Sequence, residues 1–176
     1  MSFTERALRD ALGLFPTGVA VVTARGTGGA LHGVTISSFN AVSLDPPLVL
    51  FSLSRKLFSL QEFLLADAFA INFLQEDQQE LSARFSKALS NKWENVAHKA
   101  GVTGALVLLP AVAVLECTPH AQYDGGDHVI VVGRVNHIEC QECSSSPLVF
   151  FRGGYHRLTS ANLEPKGETG AILSTR

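Results

Sequence analysis

The chain has 176 residues, 46% hydrophobic and 17% charged, with a formal net charge of −2. That length and apolar content fit one globular domain with a proper core, and the near-neutral charge argues against nucleic acid or an anionic membrane as a general partner. The opening MSFTERALRD carries charges where a signal peptide needs an apolar run, and no stretch approaches the roughly 20 apolar residues of a membrane span, so a cytoplasmic protein is expected.

Phe3, Ala7, Leu8, Ala11 and Leu12 fall at helical spacing and predict an amphipathic helix at the start. GVAVVTA (18–24) reads as a strand, and RGTGGALHG as a Gly-rich hairpin connection. The next stretch, GVTISSFNAVSLDPPLVLFSL (33–53), reads as a strand-like run rich in hydroxyls that turns at Pro46-Pro47 and continues as a short buried strand. LFSLQEFLLA predicts a helix and AFAINFL a strand, while Asp77 and Glu80 form a capping-box-like start for a helix over DQQELSARF. NKWENVAHKAG reads as polar and irregular. Beyond it, two long β-rich runs flank Asp124-Gly125-Gly126-Asp127, a hairpin signal, and a final pair, PLVFF and YHRL, is joined by Arg152-Gly153-Gly154. The last residues, SANLEPKGETGAILSTR, have little periodicity and read as a flexible tail.

Antiparallel-looking pairs with inserted helices argue for a barrel and against a doubly wound sheet. No GxGxxG or GxxxxGK[ST] fingerprint follows a strand, which argues against a Rossmann site. Cys117, Cys140 and Cys143 are an odd set without a second ligand pair, so plain thiols and no metal site are expected.

The hydroxyls are the chemical signal. Thr35 and Ser37 would share one strand face with Ser38 on the other, a pattern that a merely solvated face would also give. Against that bland reading, the next strand ends in Ser52, Ser54, Arg55 and Lys56, and Ser59 opens a helix, a combination suited to an anion such as a phosphate. Arg84 is a candidate second clamp, although a helical arginine is commonly just solvated.

Taken in order, FPTGVAVVT (15–23), GVTISSFNAVSLDPPLVLFSL, FAINFL (69–74), LSARFS (81–86), GDHVIVVGRV (126–135) and PLVFFRGGYHRL (147–158) resemble the short-chain flavin reductases, the reductase components of two-component flavin-dependent monooxygenases. The resemblance implies a mainly β (α+β) fold, an antiparallel Greek-key split β-barrel of the FMN-binding type with flanking helices. Residues 1–160 would form this domain and 161–176 the tail. It further implies a homodimer that uses NADH or NADPH to reduce FMN or FAD. Reduced flavin would then diffuse to a separate oxygenase acting on an aromatic or related substrate.

On the same resemblance, Thr35, Ile36, Ser37 and Ser38 match the segment that lines the flavin ring and ribityl chain. Ser52, Ser54, Arg55, Ser59, Arg84 and Phe85 match the region that holds its phosphate or pyrophosphate. Asp127, His128, Gly153, Gly154, Tyr155 and His156 match the nicotinamide side. Read alone, His128 would be a turn histidine and Tyr155 a packing residue. Hydride transfer between stacked cofactors needs no protein acid or base, so no catalytic residue is expected. The alternative is a flavin-binding or pyridoxamine-phosphate oxidase-like protein of the same barrel that does not turn over.

Overall fold

The structure is a computed structural model and describes residues 3–88, 91–140 and 146–158. It opens with α1 (Glu5–Leu12), where the Thr4 hydroxyl accepts a hydrogen bond from the Ala7 amide at 3.2 Å and Glu5 pairs with Arg9. The helix forms where the apolar spacing predicts it. None of its residues is buried, however, and Phe3, Leu8 and Leu12 are exposed.

The chain continues through β1 (Thr17–Gly18), β2 (Ala20–Arg25), β3 (Leu31–Ile36), β4 (Asn40–Leu44), β5 (Pro47–Ser54), α2 (Leu60–Leu64), β6 (Phe69–Phe73) and α3 (Gln79–Phe85). There follow β7 (His98–Ala100), β8 (Leu106–Leu108), β9 (Ala113–Gly125), β10 (His128–Cys140), β11 (Val149–Phe151) and β12 (Gly154–His156). The architecture is mainly antiparallel β with few helices, and among the described residues no helix is long and apolar enough to cross a membrane.

Seven strands form one sheet in the order β3-β2-β6-β9-β10-β5-β4. The outer strands β3 and β4 are consecutive in the chain, with residues 37–39 between them. Fully extended, such a link reaches about 14 Å, whereas the outer strands of a flat seven-stranded sheet would stand about 29 Å apart. The sheet must therefore curl until its edges approach. Ser38 marks that approach, since its hydroxyl accepts the Ser52 amide of β5 at 2.9 Å. The strand-like run expected from residue 33 to the turn at Pro46-Pro47 is thus broken where the chain crosses from one edge to the other.

The curl encloses the core. β5 alternates, burying Val49, Phe51 and Leu53. β2 is buried on both faces: Val22 and Ala24 pack with Phe51, Phe69 and Ile71, and Val21 packs with Leu74, Phe85, Leu108 and Leu148. That double burial is why GVAVVTA reads as a continuous apolar run. On β10, Gly133 lets the Phe69 ring approach, because a Cβ there would lie 2.5 Å from Phe69 Cζ. Two smaller sheets, β1-β11-β12 and β7-β8, complete the fold.

Two local expectations are corrected. Asp77 does not cap α3: the cap is Gln78 with no side-chain cap bond, because its carboxamide is held by the Gln75 amide and the Pro110 carbonyl. The stretch expected as irregular over 91–101 ends in β7, whose residues are all exposed and so show no alternation, its pairing coming instead from buried β8. Residues 159–176, including the whole of the expected tail, and Cys143 lie outside the described residues.

Candidate functional site

A groove of about 980 Å³ runs along β3, with β5 and the loop after it on one side and the end of α3 with Lys92 and Trp93 on another. Its lining includes Thr35, Ile36, Ser37, Ser38, Ser52, Ser54, Ser59, Phe85 and His128 of the residues expected from sequence. Local bonding explains how they are held. The Thr35 hydroxyl donates to the Ser82 carbonyl of α3 at 2.7 Å, and Ser38 bridges to Ser52, so these two side chains join the groove walls. Ser54 Oγ accepts the Lys56 amide at 3.2 Å, which tightens the turn leaving β5. Ser37 is exposed, and the Ser59 side chain makes no cap bond to α2.

The groove floor is aromatic. A Cβ on Gly33 would lie 2.3 Å from the Phe85 ring, so only a glycine lets that ring close on β3. Trp93 meets Phe85 edge to face with ring centroids 5.1 Å apart.

The arginines expected to clamp a phosphate are engaged elsewhere and do not line the groove. Arg55 donates from Nε to the Gly126 carbonyl and from Nη2 to Asp124 Oδ1, both at 2.8 Å, and this bond holds the Asp124 carboxyl below its ordinary range. Arg84 donates to the Glu94 carbonyl at 2.7 Å. The groove's cations are lysines: Lys56, Lys87 and Lys92. Lys92 Nζ lies 3.4 Å from the carbonyls of Gly33 and Phe85, and its burial pulls its pKa down from the ordinary 10.5.

Two polar atoms beside the groove are buried without a hydrogen-bond partner among the described residues, Trp93 Nε1 and His32 Nε2. His32 Nε2 stands 3.9 Å from the Glu62 carboxylate. Unpartnered buried polar atoms of this kind are uncommon in folded proteins. A flat heterocycle with ring acceptors and an anionic tail fits the set that lines the groove: an aromatic floor, small hydroxyls and three lysines.

On the expected nicotinamide side, His128 lies at the groove opposite Ser54 in the β5–β10 ladder, with Nδ1 2.7 Å from Asp127 Oδ1. That contact lowers the Asp127 pKa. Asp127, Gly153, Gly154, Tyr155 and His156 are not brought to the groove lining. Gly153, at φ +78°, makes the β11–β12 turn possible, and His156 Nε2 lies 3.2 Å from the Phe151 carbonyl. Tyr155 packs behind the floor with Phe85 and Trp93, its hydroxyl 2.8 Å from Ser82 Oγ. Buried Ser82 therefore contacts both Thr35 and Tyr155.

Lys56, which the sequence placed in the anion-suited turn after β5, lines the groove, whereas His32, Lys87, Lys92 and Trp93 were missed as lining residues. His32 sat inside a stretch read as a turn, and Lys92-Trp93 inside one read as irregular. The signal available was a lysine beside the chain's lone tryptophan in an otherwise polar segment.

A mainly antiparallel β protein with a groove suited to a flat, anionic heterocycle is the class that this architecture and site define. Residues 12–159 match the flavin reductase-like domain family, and the chain belongs to that family. It is 40% identical to the actinorhodin polyketide dimerase of Streptomyces coelicolor over 92% of this chain and 90% of that protein. It is 41% identical to the reductase component of 4-hydroxyphenylacetate 3-monooxygenase of Thermus thermophilus over 88% of this chain and 97% of that protein. The fold is similar to the NADH:FAD oxidoreductase SgcE6 of Streptomyces globisporus, solved with NAD and FAD fragments, at a TM-score of 0.84 and 33% identity over 90% and 95% of the two chains.

Proposed function

We propose that the groove along β3 holds the flavin of an NAD(P)H-dependent flavin reductase that delivers reduced FMN or FAD to a separate oxygenase component. The observation that carries this placement is the meeting of hydroxyls and three lysines over one aromatic floor. Flavin reductases and monooxygenase reductase components among the relatives support the activity and the partner class.

When bound, the flavin accepts hydride from the dihydronicotinamide and supplies the redox chemistry. The chain's own residues bind and orient. Thr35, Ile36, Ser37 and Ser38 form the wall for the ring system, with Phe85 and Trp93 as its aromatic floor. Ser52, Ser54, Ser59, Lys56 and Lys92 face the phosphate end, a role in which the lysines stand where Arg55 and Arg84 were expected. His128 is placed to orient the nicotinamide cofactor, its Nδ1 tethered to Asp127. Tyr155 and Ser82 steady the floor from behind, and Gly153, Gly154 and His156 shape the turn beside them.

The curled sheet, with consecutive strands at its two edges, is read as a Greek-key split barrel spanning residues 1–160. A homodimer accounts for the exposed apolar surface of α1 and the neighbouring turn, Leu8, Leu12, Leu14 and Phe15. Light scattering should give twice the chain mass, and a monomer would overturn the dimer. A cytoplasmic setting suits a reductase that draws on NAD(P)H. The activity is tested by following NADH consumption with excess FAD, FMN and riboflavin. Many turnovers are expected, and oxidation of one equivalent per bound flavin followed by arrest would favour a non-turnover binding module.

A further inference from the structure

We infer that Phe58 is a stacking platform for the adenine of FAD, so that this chain takes FAD in preference to FMN. The inference rests on the reading of the groove as the flavin site. Phe58 is 99% exposed, and of the large exposed apolar residues among the described ones it alone lines the groove. Leu14, Phe15 and Leu44 are exposed too, but they lie outside the groove.

The ring is presented by a fixed turn. Leu57 donates its amide to the Ser54 carbonyl at 2.9 Å and packs against the core, so its neighbour Phe58 is left facing away. The Arg55 amide donates to the Asp127 carbonyl at 2.9 Å, and the Arg55 side chain grips Gly126 and Asp124, which ties the turn to the end of the β9–β10 hairpin. An aromatic face held out on a pinned loop loses little freedom when a flat ring lands on it.

The surroundings select the ring. Ser54, Lys56 and Ser59 flank Phe58 and supply donors and positive charge for a phosphate end. A mononucleotide stops at that phosphate. A dinucleotide continues through a second phosphate, which Lys56 is placed to neutralise, to an adenine whose π-face needs an aromatic partner. Phe58 is the groove residue that offers one at that end.

The test compares dissociation constants for FAD, FMN and riboflavin, by flavin fluorescence, in the parent protein, Phe58→Ala and Phe58→Trp. The expected result is tighter FAD than FMN in the parent. Phe58→Ala should weaken FAD about tenfold, leave FMN and riboflavin unchanged and keep the parent melting temperature, and Phe58→Trp should restore FAD. Equal loss of FAD and FMN, or no loss of FAD, overturns the inference and leaves the flavin groove standing. A raised KM for NADH with FAD affinity unchanged gives the platform to the pyridine nucleotide and overturns it as well. So does a halved mass by light scattering, which would make Phe58 a subunit contact. Failure of the parent to bind any of the three flavins would instead remove the reading of the groove itself.

Discussion

Two sets of polar groups in this protein are built from similar residue types and finished differently. Glu116 on β9 is 1% exposed, and its carboxylate accepts the amides of Val102 at 3.0 Å and Thr103 at 2.7 Å together with the Thr103 hydroxyl at 2.6 Å. Nearby, Asn72 donates to the Val21 carbonyl and Thr23 Oγ1 and accepts the Leu108 amide. Those networks are closed by the chain itself. Beside the groove, Trp93 Nε1 and His32 Nε2 have no partner among the described residues, and Lys92, which lines it, has only contacts of 3.4 Å. A closed network specifies the fold, whereas an open one beside a groove is finished by a ligand.

The largest expected effect lies on the closed side. Glu116→Ala strips two loop amides of their acceptor in a buried setting, and a loss of about 3 kcal/mol is expected, or roughly 6–12 °C in Tm for a chain of this size. Flavin affinity measured below the transition should be kept; loss of flavin binding with Tm unchanged would reverse the comparison. The same carboxylate carries a pH dependence. Burial works to raise its pKa, but the Thr103 hydroxyl, the amides of Thr103 and Val102 and the charge of His137 outweigh it, so the folded value lies below the ordinary 4.5. Its stabilisation is therefore complete above that ordinary value and is lost as pH falls through the lower folded value. Acid melting should begin below pH 4.5 and be blunted in Glu116→Gln.

Gly33→Ala is next, expected to cost about 2 kcal/mol, within the range for overpacking. The added methyl would meet the Phe85 ring, and moving that ring disturbs the groove floor. Here Tm and flavin affinity should fall together, because the position belongs to both the core and the site. A fall in Tm alone would show that the floor does not touch the flavin.

Much of this comparison could be read from the chain, and the unread part has a consistent physical cause. Strands with strong local patterns were legible: the continuous apolar run of β2 and the Asp124–Asp127 hairpin. What depended on distant partners was not. β7 becomes a strand only because β8 is there to pair with it. Asp77 loses the α3 cap because Gln78 is held by Pro110 from 32 residues away. Arg55 and Arg84 looked like free forks, yet their partners Gly126 and Glu94 sit on other segments, and of the lysines left facing the groove only Lys56 belongs to a stretch that the sequence marked, Lys87 and Lys92 being singled out by no local motif. The apolar face of α1 was legible as a face, but nothing in its spacing told whether its own chain would cover it.

Lys92 tests the open side. Lys92→Met keeps the length of the side chain and removes the charge, and FMN and FAD should bind about tenfold more weakly, as for one charge-assisted hydrogen bond, with riboflavin less affected. Tm should change little. Because burial lowers the Lys92 pKa below 10.5, its charge is lost at a lower pH than that of an ordinary lysine. FMN affinity in the parent should therefore decline with rising pH before 10.5, and that decline should be absent in Lys92→Met. Persistence of the decline in the variant would assign it to another groove lysine.

The smallest effect sharpens the contrast most, because it separates two cations that look alike in the sequence. Arg55 and Lys56 are neighbours, yet Lys56 lines the groove while the Arg55 guanidinium is spent on Gly126 and Asp124. An exposed pair of this kind is screened by solvent and contributes little, and the Arg55 amide would still hold the Asp127 carbonyl after the side chain is gone. Arg55→Ala should thus leave the dissociation constants of FAD, FMN and riboflavin within about twofold of the parent, whereas Lys56→Ala should weaken the two phosphorylated flavins and spare riboflavin. If Arg55→Ala instead weakens FMN and FAD selectively, the guanidinium leaves the hairpin for the phosphate when flavin binds, and the line drawn between closed and open networks runs through this residue and not beside it.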